Sequence, residues 1–455
     1  MVDSGTRTAT VGGAAGERRR WLTGWRVVVF LLVFVFVLLL CVRGAIAWRY
    51  SAELEARRAA GLPVDVASFR DWQGEIELGA AEIYAEAFEA MERARWSYED
   101  KEELVIAGSA ELPEDGGPLT ERQLEIAHDY LADHAEALAL LHEAAEAGGG
   151  AGPWRLDKGR GVTEFSNLSA VRSGLRLLSL QARIAAEEGD AEAAVAALET
   201  GSFVAGMMKQ EPFAIDHLVT IACASLCVEV SAELLGRVPL DQAQLRRIGD
   251  ALERVTPTSD DFLRRLIGED AYMVLVLDEE GPDALAEYID GSPMYYRLTG
   301  LTELTLMRNW QMMELYLDAF ENIEGEPERL DEYRRISNMP YPVWGGLGEE
   351  SATLTGRVLI SHYRALARHR AAAAGLAVMR YRLAEGRLPG ELGEVVDEQP
   401  LDPFTGDPLI YRVSDDGFVI YSVNDNLVDS GGDDSEDAQD RSEDDVVFRV
   451  RLRGE

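Results

Sequence analysis

The sequence predicts a mainly α-helical protein with an N-terminal transmembrane helix, a body of helical hairpins and a small C-terminal α+β module with about three antiparallel strands. Three observations carry this prediction: an uncharged apolar run at Val27–Val42, repeated helical spacing of apolar residues across the body, and apolar–polar alternation at residues 446–452. The predicted units are a basic tail at 1–26, an anchor at 27–48, a helical domain at 49–350 and a C-terminal module at 351–455.

The anchor prediction rests on the apolar run and on its flanks. Val27–Val42 contains 16 residues, whereas a bilayer core needs about 20 apolar residues. Trp25 precedes the run and Trp48 follows it, and such amphipathic rings are typical of membrane interfaces. A buried core helix is the alternative, but core helices are rarely apolar on every face. We therefore predict that residues 27–48 cross a membrane.

Basic residues set the expected orientation of this anchor. Arg18, Arg19 and Arg20 favour a cytoplasmic N-terminus at the inner membrane, with the body outside the cytoplasm. The alternative is a cleaved export signal, because Ala45–Ala47 offers a small-residue cleavage site and the arginine triplet resembles a twin-arginine signal. The long apolar run, and Arg43 so close to that site, favour an uncleaved anchor. Both interpretations place the body across the membrane.

Composition limits the partners of the body. The chain has 81 acidic and 44 basic residues and a net charge of −37, which argues against nucleic acid and against anionic lipid surfaces. The acidity is spread along the chain, as in a solvated surface. Three cysteines give no disulfide framework. Cys223 and Cys227 lie four residues apart on one predicted helix, where they should pack as small buried hydrophobes.

The helical body shows one recognisable hairpin. The stretch Ala182–Leu198 resembles the hairpin of a tetratricopeptide repeat, with Gly189-Asp190 at the turn and small alanines where two helices approach closely. The repeat period is not sustained around it. Phe213–Leu235 is the most apolar helix outside the anchor, but charged residues such as Asp216 and Glu229 interrupt it. We therefore predict a central buried helix rather than a second span.

Motifs that carry catalysis are missing from the sequence. It contains no His-Glu-x-x-His, no paired Cys-x-x-Cys, no Walker loop and no Gly-x-Ser-x-Gly elbow. A hydrolase hidden in the helical body is one alternative, with Glu164, Asn167 and Arg172 facing a cleft and His217 nearby. Buried or surface roles are commoner for such residues, so the sequence predicts a protein that is not an enzyme.

The C-terminal module combines a long helix with strands. The helix should end at Gly386, and Asp402–Pro408 forms a turn that two prolines and Gly406 make rigid. Asp402 can accept hydrogen bonds from the amides of this turn. Three short strands follow, and one apolar face of them could lie on the long helix. The predicted strands are Leu409–Val413, Phe418–Val423 and Val446–Leu452.

These features together carry a resemblance that covers roughly residues 357–450. The long helix, Gly386–Pro389, the Asp402-Pro403-Phe404 corner and the strand Gly417–Ser422 resemble the globular domain of the major pseudopilins of type II secretion. The helical body with this ending is similar to a group of uncharacterised single-pass bacterial membrane proteins. The resemblance implies a cell-envelope protein associated with secretion, and it implies no activity.

The resemblance also implies a Ca²⁺ site in the acidic loop at 424–445. Hard oxygen ligands suit this ion, and the family's ligand positions map to Asn426, Asp429, Asp444 and Asp445. This chain departs from the family pattern: Asn426 replaces an acid, Leu427 replaces the usual glycine, and the insertion at 433–443 is longer. An EF-hand-like loop that starts at Asp433 and lacks the turn glycine is one alternative. An acidic loop that binds no ion tightly is the other.

Three functional hypotheses follow from the sequence. The first is a membrane-anchored, extracytoplasmic scaffold or binding protein with a protein partner in the envelope. The second is a pseudopilin-like subunit of a secretion or pilus fibre. A processed prepilin has a Glu at the fifth mature position inside its apolar helix, whereas Val27–Val42 contains no acid, so the second hypothesis is disfavoured. The third is the hidden hydrolase.

Overall fold

A computed structural model describes residues 13–94, 96, 101–113, 117–157, 161–162, 164, 167–281, 298–339, 346–432 and 444–452, with side chains described from 25 and, in the long helix, from 356. The fold is mainly α-helical, with an apolar N-terminal helix and a three-stranded antiparallel sheet near the C-terminus, as predicted. The first residues of the basic tail and the insertion at 433–443 lie outside the described residues.

The helices and strands have the following bounds. The helices are α1 Gly13–Ala59, α2 Val66–Gln73, α3 Ala81–Arg93, α4 Glu121–Asp133, α5 Ala135–Glu146, α6 Leu168–Glu187, α7 Ala191–Gly206, α8 Ala214–Arg237, α9 Gln242–Val255, α10 Ser259–Glu279, α11 Leu301–Asn322, α12 Glu326–Ser337 and α13 Gly346–Glu385. The strands are β1 Ile410–Ser414, β2 Gly417–Ser422 and β3 Val446–Arg451.

Two of these helices are long and apolar enough to cross a membrane. In α1, this applies to the stretch Trp25–Ala59, and the most apolar part of that stretch is 0% buried in the protein. A signal sequence near an N-terminus has the same properties. In α8, 56% of the corresponding part is buried in the protein. The helix α8 is therefore the central core helix that the sequence predicts.

The predicted hairpin is formed by α6 and α7. Gly189 at the turn has a φ of 81°, a left-handed conformation that glycine adopts without strain. The Asp190 carboxylate then caps α7 by accepting the Ala193 N–H at 3.0 Å. The facing side chains are small and buried, including Ala182, Ala194 and Ala197, which lets the two helices pack closely.

The long helix α13 joins two parts of the core. Its middle turns, with Leu359 and Tyr363, pack among aromatic residues of α10, α11 and α12. Its later turns, with Ala371 and Val378, join the large core that contains α8 and the sheet. Residues before and after position 350 therefore contribute to each of these two parts of the core.

The sheet has the order β1-β2-β3 and covers α13 and α8. Phe418 pairs with Val450 and Ile420 pairs with Phe448, and all four side chains lie in the large core. Gly375 of α13 permits this packing, because a Cβ at that position would lie 2.3 Å from the Phe448 ring. As predicted, an apolar face of the sheet lies on the long helix, and β2 and β3 form this contact.

Candidate functional site

The part of α1 beyond the apolar run packs against the body. Ile46, Tyr50 and Leu54 contact the cluster around Trp310 of α11. The rings of Tyr50 and Trp310 stack with centroids 5.5 Å apart. We call this contact, formed by residues 43–57 of α1 with α10 and α11, the anchor junction.

A buried ion pair lies at the centre of the anchor junction. The Arg57 guanidinium binds the Asp270 carboxylate of α10, and the two side chains are only 2% and 1% exposed. The same guanidinium lies over the Trp310 ring, 4.7 Å from its centroid. Burial lowers the pKa of Arg57 to about 10, although the charges of Glu314 and Glu53 oppose this shift. Arg57 therefore stays charged at neutral pH, and its buried charge needs Asp270 as a partner.

A second ion pair closes the junction at its membrane end. Arg43, at the end of the apolar run, donates to Glu303 of α11 at 2.5 Å. In the sequence, Arg43 stands out only as a charge close to the candidate cleavage site. Its partner could not be found by sequence spacing, because the two residues are 260 positions apart.

Two of the four residues expected to bind calcium lie in the first part of the acidic loop. Asn426 forms a turn in which its side-chain oxygen accepts the backbone N–H of Val428 at 3.0 Å. The Asp429 carboxylate accepts the Tyr421 hydroxyl at 2.9 Å and a guanidinium N–H of Arg412 at 3.1 Å. It also accepts a backbone N–H at 2.8 Å, and this bond, together with the tyrosine bond, lowers the pKa of Asp429.

The other two residues precede β3. The Asp445 carboxylate is buried and accepts the backbone N–H of Gly432 at 2.7 Å and that of Ser430 at 3.3 Å. Burial raises the pKa of Asp445 despite these two bonds. The backbone oxygen of Asp444 accepts the Asn424 side-chain amide at 2.8 Å. The four residues thus lie in the same part of the structure. Protein hydrogen-bond donors already bind the oxygens of these residues that are described above.

This arrangement does not fit a preformed calcium site. Calcium takes six to eight oxygen ligands, whereas the carboxylates of Asp429 and Asp445 already accept bonds from protein donors, including the positively charged Arg412. No group of three metal-binding side chains occurs in the part of the chain that the structure describes. The EF-hand-like alternative begins at Asp433, outside the described residues. Calcium binding by the whole loop stays a prediction.

The Asp402 corner joins this loop to the sheet. The Asp402 carboxylate accepts the Phe404 N–H at 2.8 Å, as the turn chemistry predicts, and also the Ser422 hydroxyl at 2.9 Å and the Val423 N–H at 3.0 Å. Arg364 of α13 then binds the next part of the loop through Asp425, at 2.6 Å. Arg364 could not be predicted from the sequence. An arginine on a helix gives the same sequence pattern whether it binds a loop carboxylate or faces solvent.

Imidazoles and charged groups also meet between α8, α10 and α13. His217 and His362 are each 1% exposed, and their rings share a hydrogen bond of 3.2 Å between Nε2 and Nδ1. Burial lowers the pKa of His362 to about 3 and that of His217 well below its usual value. Both rings are therefore neutral at pH 7. Arg265, also buried, donates to backbone oxygens and to the Thr220 hydroxyl.

The residues proposed for a hydrolase differ in their environment. Asn167 caps α6 by accepting the Ala170 N–H at 3.2 Å, and Glu164 and Arg172 are exposed. His217 is buried against Phe262, whose ring centroid lies 5.6 Å from that of the imidazole. His217 thus lacks the access to solvent that a catalytic base in a cleft requires.

An open groove lies between α3 and α5. It has a volume of about 450 Å³ and acidic walls that include Glu86, Glu89 and Glu143, with Leu140 among its lining residues. Arg93 of α3 and Glu136 of α5 form an exposed ion pair of 2.9 Å at this groove. Its acidic lining suits a basic ligand better than an anionic one.

No family model, curated protein or solved structure matches this chain. The anchor junction and the groove therefore have to be interpreted from their own chemistry.

Proposed function

We propose that this protein is a membrane-anchored scaffold or binding protein of the bacterial cell envelope, with its body outside the cytoplasm. The observation that carries this proposal is the anchor junction. A helix apolar enough to span a membrane continues without a break into a buried contact with the body, through Arg57 and Tyr50. The span and the body are therefore joined by a packed interface.

The junction favours an uncleaved anchor over a signal peptide. The candidate cleavage site Ala45–Ala47 lies inside α1, between Arg43, which binds Glu303, and Tyr50, which stacks on Trp310. Cutting there would remove Arg43 and Ile46 from the interface. Retention of α1 fits a protein that works at the membrane.

Binding is the role that the acidic groove supports. Its walls carry Glu86, Glu89 and Glu143, and Arg93 is the basic residue of its lining. A partner with a basic, extended segment would find charge complementarity there, together with apolar contact at Leu140. The resemblance of the C-terminal module to pseudopilins suggests a partner associated with secretion. A pseudopilin-like subunit remains the second candidate on that resemblance alone.

The anchor is tested by membrane extraction. The full chain with a C-terminal tag should stay in the membrane pellet after alkaline carbonate washing and should keep its N-terminal sequence. Protease added outside spheroplasts should digest the body. A soluble product that starts after Ala47 would contradict the proposal. A Leu32→Arg/Phe36→Arg variant, which changes two lipid-facing positions and no junction contact, is the control that should fail to insert.

The binding role is tested with a photo-crosslinking residue at Leu140 in the groove. Crosslinks to envelope or secretion proteins are expected, and a Glu86→Lys/Glu89→Lys variant should lose them. The same crosslinker at Leu383, an exposed position on α13, is the matched control. Crosslinks only to ribosomal or cytosolic proteins would refute the binding role and leave the anchor untouched.

A further inference from the structure

The anchor junction brings the start of α11 next to the last turns of the membrane span. A Cβ on Gly300 would lie 3.2 Å from side-chain carbons of both Arg43 and Ile46. Two neighbouring leucines are exposed, Leu298 by 67% and Leu304 by 39%. Trp48 of α1 is 75% exposed at the same end of the molecule.

Helix geometry places these residues at the edge of a bilayer. The run Val27–Val42 is about 24 Å long at 1.5 Å per residue, which is shorter than a hydrocarbon core of about 30 Å. Extension to Ala47 gives about 31 Å and matches the core. Arg43 is the only charged residue within Val27–Ala47, so the longer span requires that its charge be neutralised or moved to the head groups.

Glu303 supplies that neutralisation from the body. Its carboxylate binds Arg43 at 2.5 Å, and the two side chains are 19% and 31% exposed, respectively. An ion pair at the bilayer edge costs less than an isolated guanidinium, because the pair carries no net charge. Glu303 lies on α11 directly before Leu304 and five residues after Leu298, so both exposed leucines are close in sequence to the residue that neutralises Arg43.

We propose that Leu298, Leu304 and Trp48 form a second membrane contact, in the interfacial zone of an uncharged bilayer, and that the Arg43–Glu303 pair extends the span to Ala47. This inference rests on the proposed function as a membrane anchor. The partner is a zwitterionic lipid surface, since the acidic body disfavours anionic lipids. The body is then held directly against the membrane, because α11 contacts both lipid and the anchor.

Depth-dependent quenching tests this contact in the full chain. A fluorophore is attached at Leu298→Cys in a Cys41→Ser background, where Cys223 and Cys227 are buried and stay unlabelled. The protein is reconstituted in phosphatidylcholine vesicles that carry a nitroxide either near the head group or at the end of the acyl chain. The matched control is Leu315→Cys, an exposed leucine of α11 that lies 17 residues after Leu298 in the chain.

The Leu298 label should be quenched more by the shallow nitroxide than by the deep one, and the Leu315 label by neither. A Glu303→Gln variant should lose the shallow quenching at Leu298, because the Arg43 charge is then no longer neutralised by the Glu303 carboxylate and moves toward the head groups. A Glu303→Gln/Arg43→Met variant should regain it. Wild-type protein labelled at Cys41, within the span, reports anchoring itself.

Three outcomes contradict the inference, and they differ in which part of it they refute. Quenching at Cys41 with none at Leu298 would refute the second membrane contact and would still support the anchor. Absence of quenching at both positions would refute the anchor as well. Unchanged quenching at Leu298 in Glu303→Gln would show that the Arg43–Glu303 pair does not set the depth of the span.

Discussion

Removing Asp270 should detach the anchor helix from the body. Asp270→Ala leaves the Arg57 guanidinium 2% exposed and without its partner carboxylate. Loss of one member of a buried ion pair typically costs about 3–5 kcal/mol. Since about 1.4 kcal/mol corresponds to a factor of ten, a junction that is firmly closed in the wild type would open by roughly two to three orders of magnitude.

Two measurements report this change. Urea denaturation in mild detergent gives the loss of free energy of unfolding. Limited proteolysis measures the opening of the anchor junction. The turn at Gly61 follows α1 directly and should become a cleavage site when the helix detaches. Both should change in Asp270→Ala, and the sheet should stay protected because it lies on α13 and α8.

Arg58→Ala is the matched control. Arg58 is the next residue and binds Asp65 at 3.1 Å, but these side chains are 55% and 34% exposed, so the change should cost at most about 1 kcal/mol. The double variant Arg57→Met/Asp270→Leu should recover most of the loss, since it leaves no buried charge. Equal effects of Asp270→Ala and Arg58→Ala would refute the reasoning that burial makes this pair important.

Three further predictions concern the body. Burial lowers the pKa of His362 to about 3, so this ring binds fewer protons in the folded than in the unfolded state. Its contribution to stability is complete above pH 6.5 and is lost toward pH 3, at about 1.4 kcal/mol per pH unit. Thermal melting at a series of pH values should show this loss of stability toward low pH. The loss should be smaller in the His362→Gln variant, and it should be unchanged in the control His128→Gln, whose side chain is half-exposed. Asp402→Ala should cost about 1–3 kcal/mol in urea, because two backbone N–H groups and a hydroxyl lose their acceptor. Gly375→Ala should lower the melting temperature despite better helix propensity, whereas Gly206→Ala, with open space around it, should not.

Each of these results has a clear counter-outcome. Identical pH profiles for His362→Gln and the wild type would show that other groups set the acid sensitivity. Glu269, whose pKa burial raises, contributes with the opposite sign, because its stabilisation is lost as pH rises through its folded pKa. A stable Asp402→Ala protein would mean that the corner is held by its prolines alone. A stable Gly375→Ala protein would mean that Phe448 can move.

Local patterns were enough to predict the elements of the fold. The apolar run, the Gly189-Asp190 turn and the alternation at 446–452 each depend on neighbours in sequence, so an apolar N-terminal helix, the hairpin and β3 were predicted correctly. The strand β3 ends one residue before its predicted end, whereas α1 extends well beyond the predicted 27–48 on both sides. Phe213–Leu235 was predicted to be buried because charges interrupt it, and α8 at Ala214–Arg237 confirms that reasoning.

Contacts distant in sequence could not be predicted in this way. Arg57 and Asp270 look like surface charges in the sequence, and only the packing of α1 on α10 makes them a buried pair. Asp445 looks like a metal ligand, because a carboxylate in an acidic loop gives the same signal whether its partner is a cation or a backbone N–H. Which residue binds which depends on the three-dimensional path of the chain. The spacing of residues in the sequence does not contain this information.

The position of β3 has a consequence for how such a chain is made. Phe448 and Val450 fill the core between the sheet, α13 and α8, so that core cannot close until residues 446–450 have been synthesised. A shorter nascent chain exposes the apolar faces of two long helices and lacks its final cross-strand pairs. This part of the core therefore stays open until β3 has emerged from the ribosome, even where the helices before it have already formed.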